Sequence, residues 1–205
     1  MGQYWNICIV NKKNNKRSFY YPTGGIKLME HSYLGNDTTD FICHQIENKP
    51  HYVVWYGDYV NSKEDTIVAE GSSFKGRISS KYLLNKESEP CGDCERFIYE
   101  GKFLVNHDTK EYLSFDEYKE ACLSISDPED YDWVVHPLAI LTACSNGKGG
   151  GDYHCDKATN IDKVGRWSMH LLEITTKAPE GYTNVSNWVF VESPVEAGER
   201  YLKAL

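Results

Sequence analysis

The run Asn146-Gly147-Lys148-Gly149-Gly150-Gly151-Asp152-Tyr153 places four glycines in five positions. Glycine reaches backbone conformations closed to other residues, so successive main-chain N–H groups can turn toward one point and hold an anion there. Lys148 would add a positive charge. The spacing is not that of a Walker loop, because no Gly-Lys-Ser/Thr follows. It is not a dinucleotide fingerprint either, because no helical pattern opens directly behind it. A plain connection between strands is the alternative reading of the same residues.

A second cluster is Trp55-Tyr56-Gly57-Asp58-Tyr59, where a strand ends in aromatics beside a carboxylate and a glycine that permits close approach. Flat rings next to a carboxylate suit a nucleobase or a sugar, although aromatics at a strand end also serve as core. Lys27 and His31 stand four apart and would share one face of a helix. Cys91-Gly92-Asp93-Cys94 has the spacing of a zinc knuckle, which would make Cys91 and Cys94 two of four ligands to a structural zinc. His107, Cys122, His154 and Cys155 are the candidates for the other two, and nothing in the spacing selects among them.

Catalytic signatures are sparse. His107-Asp108-Thr109 is a single His-x-Thr unit, and no other histidine is followed two places on by Ser or Thr. No metallohydrolase histidine run and no Gly-x-Ser-x-Gly elbow occurs. A Cys144 or Cys155 nucleophile beside His154 or His170 stays open, against the commoner reading of plain buried or surface thiols.

Positioning these residues falls to elements that the periodicity outlines. Residues 3–10 alternate, with Trp5, Ile7 and Ile9 opposite Tyr4, Asn6 and Cys8, and turn at Asn14-Asn15 into a strand over 18–21. A short helix over 26–33 and a second that Asp37 can cap, running through Ile46, follow, then a strand over 51–56. The stretch 61–101 lacks periodicity and reads as a loop or insertion. A hairpin over 103–113 leads through the capping box Ser114-Phe115-Asp116-Glu117 into a helix. Strands are expected over 138–144 and 164–175, the latter with Trp167, Met169 and Leu171 facing Arg166, Ser168 and His170. Ser193-Pro194-Val195-Glu196 announces a C-terminal helix to about Lys203. The expectation is one α+β domain over 1–205, mainly antiparallel and built from hairpins, with several short helices.

Composition narrows the partners. The 205 residues are 40% hydrophobic and 25% charged, an ordinary globular balance. A net charge of −8 argues against a long nucleic-acid backbone, which needs many Lys and Arg to neutralise phosphates. Lys12, Lys13, Lys16 and Arg17 form a local basic cluster that reads as a solvated hairpin tip. No membrane-length apolar run and no secretion signal are evident, and the seven cysteines are an odd, scattered count that suits reduced thiols, so a cytoplasmic setting is expected.

The blocks at 1–5, 27–36, 54–59, 105–112 and 136–153 resemble the recurring blocks of an uncharacterised family of bacterial and phage proteins, and together they span nearly the whole chain. The resemblance implies a host bacterial cytoplasm and no particular activity. With it, the leading expectation is a phage-encoded binding protein that sequesters a nucleotide immune signal, such as a cyclic dinucleotide, and so blocks host anti-phage defence. Trp55, Tyr59 or Tyr153 would stack on bases, and Lys148, Arg166 and the amides of Gly149, Gly150 and Gly151 would hold phosphate, with Lys27, His31, Asp58 and Asp152 completing the site. A homo-oligomer closing the pocket between subunits is expected. Two alternatives stand beside it: a hydrolase or lyase acting on a nucleotide or phosphate ester through His31, Asp58, Asp152 and His170, and an acidic module that inhibits a protein partner.

Overall fold

In the computed structural model the described residues are 2–23, 25–125, 134–154 and 160–191. They form an α+β arrangement around one mixed sheet whose longest pairings are antiparallel. Strand β1 (Trp5–Asn11) lies between β2 (Arg17–Tyr21) and β3 (His51–Gly57), in a register that sets Ile7 beside Tyr20 on one side and Trp55 on the other. Beyond β3 come β8 (Leu171–Thr175), β5 (Phe103–Asn106) and β6 (Glu111–Ser114), all antiparallel. Three two-residue strands join in parallel: β4 (Glu89–Pro90) on β2, β7 (Ala143–Cys144) on β3 and β9 (Thr183–Asn184) on β6.

Alternation in β1 and β3 sends successive side chains to opposite faces, and both faces are covered. Trp5, Ile7, Ile9, Val53 and Trp55 join the larger core beneath the helices. Those helices are α1 (Leu28–His31), α2 (Asp37–Ile46), α4 (Phe115–Ile125) and α5 (Pro137–Leu141). Cys8, Val10, Val54 and Tyr56 enter a second core, closed by Val60, Ile67, Phe74 and Leu83. The stretch 61–101 is thus mostly irregular, as its composition implies. It nevertheless forms a layer over the sheet and carries α3 (Ser80–Leu84). Where its backbone is withdrawn from water, polar groups find partners: Asn61 N–H donates to Asp65 Oδ2 at 2.6 Å, and Ile67 O accepts from the Ser168 hydroxyl at 2.6 Å.

Four expectations are corrected. Over 138–144 the chain is helical first, because Pro137 takes a first-turn position and the His136 side chain accepts from Leu138 N–H, leaving only Ala143–Cys144 extended. The 164–175 strand begins only at Leu171. Gly165 and Met169 have positive φ, and that break in the alternation sends Trp167 to one core and Met169 to the other while Ser168 and His170 are buried. The helix after Gly25 is a single turn, with Lys27 as its N-cap, and α2 is capped by Asn36, whose side chain accepts from Thr38 N–H. The expected C-terminal helix at 194–203 lies outside the described residues, as does Cys155.

Candidate functional site

The glycine-rich loop does gather main-chain N–H groups around an anion, and that anion is the chain's own Asp152. Its Oδ2 accepts from Lys148 N–H at 2.8 Å and Gly149 N–H at 3.0 Å. Its Oδ1 accepts from the Trp5 indole at 2.9 Å and the Gln3 amide at 3.3 Å. Loop carbonyls are engaged too, since Gly150 O takes Gln3 N–H and Gly151 O takes Met29 N–H. A Cβ on Gly149 would stand 2.6 Å from Gln3 N, and one on Gly151, at φ +86°, would stand 2.4 Å from Lys27 Cδ. These glycines serve close backbone approach, which fastens residues 2–5 and 27–29 to the loop. The Lys148 ammonium turns away to Asp65 at 2.8 Å and Glu64 at 3.2 Å; its hydrogen bond to Asp65 foremost, and Glu64 with it, raises its pKa.

Lys27 and His31 part company despite their spacing. Lys27 is half-exposed, pairs with Glu30 at 3.4 Å and lays its stem against Gly2 and Gly151. His31 is fully buried, and its Nε2 accepts from the Trp55 indole at 3.2 Å while Nδ1 has no hydrogen-bond partner. Burial pushes its pKa down to about 4, against the smaller upward pull of the nearby Gly25 and Lys27 backbone and of Glu30. Trp55 is fully enclosed as well, and Tyr153 is buried with its hydroxyl on Val191 O and its ring edge-on to Phe190. Neither offers a face for stacking.

What the structure leaves open to solvent is the end of the β1–β3 pair. Asp58 Oδ1 accepts from Tyr4 N–H at 3.0 Å, and Asp58 N–H returns to Tyr4 O at 2.8 Å. This reciprocal clamp ties the Tyr4 backbone to Asp58, the residue before Tyr59, and both tyrosines are exposed, Tyr4 at 50% and Tyr59 at 38%. Ile26, 45% exposed, lies beside the Tyr4–Trp5 backbone because its carbonyl accepts from Trp5 N–H, and Lys27 follows it. The bridge between Gly2 and Gly150 brings the glycine-rich loop to the same edge. Of the expected site residues, Lys27, Asp58, Tyr59 and Gly149 to Asp152 therefore meet in one region. The sequence reading missed Tyr4, and the 3–10 alternation, which places it on the same face as the buried Cys8 and Val10, gives no signal of its exposure.

Arg166 takes no part there. It bonds Glu111 at 3.3 Å and lies over the Trp188 ring. His170 is a satisfied core residue, with Nδ1 against the Asn106 amide at 2.9 Å and Nε2 against Glu70 O at 3.0 Å, and burial lowers its pKa. The acid/base set His31, Asp58, Asp152 and His170 is thereby divided among separate structural contacts. Cys43 Sγ stands 3.4 Å from His136 Nε2, a pairing the sequence reading did not consider. His136 Nδ1 already accepts from Leu138 N–H, so the neutral ring carries its proton on Nε2 and cannot take one from the thiol. Burial drives the His136 pKa down to about 3 and the Cys43 pKa well up, which keeps the pair neutral and structural.

Cys91 is buried and Cys94 partly exposed, its thiol directed at Asp37 O. Burial pushes the Cys91 thiol up to about 12, with a further rise from Cys94. His107 is engaged by Glu173 at 2.8 Å, and the Cys122 thiol points to Phe190 O. Among the described residues no group of three or more His, Cys, Asp or Glu side chains is disposed to hold a metal ion. No helix among them is long and apolar enough to cross a membrane. Comparison of the chain with protein-family models, with curated proteins and with solved structures finds no match.

Proposed function

We propose that this chain is a ligand-binding protein that sequesters a nucleotide, the class of molecule that serves as a signal in bacterial immunity, and that its phage-like blocks reflect a role in blocking such a signal. The observation that supports this reading is that Tyr4, tied to Asp58, and the adjoining Tyr59 both face solvent, on the edge that also carries Lys27. Bases stack on exposed aromatic rings for about 1–3 kcal/mol each without demanding a particular sequence. Lys27 supplies a cation for a phosphate once its exposed pairing with Glu30 yields, and exposed pairings of this kind are weak. The site is an open face, so a second copy of the chain closing over it is part of the proposal. Trp55, Tyr153 and Arg166, committed elsewhere, are left out of it.

The test is equilibrium binding of cyclic di- and trinucleotides to the protein and to the double variant Tyr4→Ala, Tyr59→Ala. Both rings are exposed, so the variant keeps its fold, and affinity is expected to drop roughly tenfold or more. Equal binding by the two proteins would remove this face from the account. A changed ligand mass with turnover would favour a hydrolase or lyase, and no binding by any nucleotide would favour a module that inhibits a protein.

A further inference from the structure

The basic cluster of the β1–β2 hairpin borders a cleft. Its walls are Asn11, Lys16, Ser18, Tyr20, Gln45 and His51, and its volume is about 170 Å³. Ile9 contributes the apolar floor. The register explains the assembly. Ile9 and Asn11 point to the face that α2 covers, Ser18 sits beside Ile9, and His51 sits beside Asn11. Gln45, near the end of α2, overhangs them.

One wall is fixed by a chain of hydrogen bonds. Lys13 N–H donates to Asn11 Oδ1 at 2.9 Å, Asn11 Nδ2 donates to His51 Nε2 at 3.2 Å, and His51 Nδ1 donates to Lys49 O at 2.7 Å. The other groups are idle. The Lys16 ammonium, the Ser18 hydroxyl, the Tyr20 hydroxyl and the Gln45 amide have no hydrogen-bond or ion-pair partner among the described residues. None of the lining residues is acidic, in a chain whose net charge is −8. Lys12 and Lys13, exposed in the turn that follows Asn11, add positive potential to this hairpin.

We propose that this cleft binds a small oxyanion of the phosphate type, either inorganic phosphate or a phosphomonoester, with Lys16 as its counter-charge and Ser18, Tyr20 and Gln45 as hydrogen-bond donors. A tetrahedral dianion with several acceptor oxygens matches three neutral donors and one cation lining a single cleft. The cleft is smaller than the roughly 300–1,000 Å³ that hold drug-sized ligands, so it admits a phosphate with a short organic arm and not a whole dinucleotide. Its residues are distinct from Tyr4, Lys27 and Tyr59, and the proposal stands apart from the nucleotide reading.

The experiment is an NMR titration of the full chain with inorganic phosphate, with a sugar phosphate and with acetate, following the Gln45 side-chain amide and the His51 ring. Saturable shifts at both residues are expected with phosphate. Tighter binding of the sugar phosphate would identify a monoester as the preferred source, and equal affinities would identify free phosphate. Lys16→Gln should weaken binding roughly tenfold, while Lys177→Gln, which removes an exposed charge elsewhere, should leave it unchanged. Acetate binding as tightly as phosphate, equal losses in both variants, or no saturation at Gln45 and His51 would overturn the proposal.

Discussion

Asp152 decides whether the glycine-rich loop keeps its shape, because four donors from two parts of the chain converge on one buried carboxylate. Replacing it with Asn keeps the size, removes the charge and substitutes an NH2 for one accepting oxygen, so at least one buried N–H is orphaned. The expected loss is about 2–4 kcal/mol, read as a lower midpoint in urea unfolding; an unchanged midpoint would show that the loop is held by something else. Buried histidines give a second prediction. His31 and His136 have folded pKa values of about 4 and about 3, below the ordinary 6.5, so they stay neutral in the fold and gain protons on unfolding. Stability from this source is complete above the unfolded pKa and declines as pH falls toward the folded one. From about pH 7 to about pH 5 each should cost about 2 kcal/mol. Urea midpoints across that window test it, and a flat profile would contradict the burial of these rings.

At the scale of elements, the irregular stretch 61–101 is where composition and structure part. Its Ser, Lys, Glu and Gly content foretells irregular backbone, and the backbone is irregular. Its scattered Ile67, Phe74 and Leu83 carry no period, so nothing local shows that they cap the second face of the sheet. Phe74→Ala should cost about 3 kcal/mol, since the ring is buried edge-on to Tyr52; a cost below about 1 kcal/mol would return this segment to the status of a surface loop. Hairpins were legible for the opposite reason. Strands over Phe103–Asn106 and Glu111–Ser114 pair with near neighbours, and the Ser114 hydroxyl accepts from Glu117 N–H as the capping box requires. The 164–175 run misled because alternation continues through residues whose backbone does not, with Gly165 and Met169 at positive φ. The candidate site was half legible: the convergence of N–H groups followed from glycine density, but that Asp152 would occupy it depends on Trp5 and Gln3 arriving from the other end of the chain.

Across the whole molecule, residues 2–5, 25–31, 57–59 and 145–153 are tied into one edge by the β1–β3 register, the Gly2–Gly150 bridge and the Asp152 and Asp58 bonds. Most polar groups inside this edge are spent on one another, Gln3 Oε1 and His31 Nδ1 excepted, and the side chains it presents outward include Tyr4, Tyr59, Ile26 and the Lys27–Glu30 pair. An acidic chain with such a face is suited to a ligand that brings flat rings and little extended negative charge, which a compact cyclic nucleotide does better than a long polymer. The most direct measurement is to incubate the purified protein with cyclic di- and trinucleotides and ADP-ribose derivatives, separate bound from free, denature the complex and weigh what is released. One intact ligand in stoichiometric amount is the predicted result; a product of altered mass formed with turnover, or no bound nucleotide at all, would contradict the account.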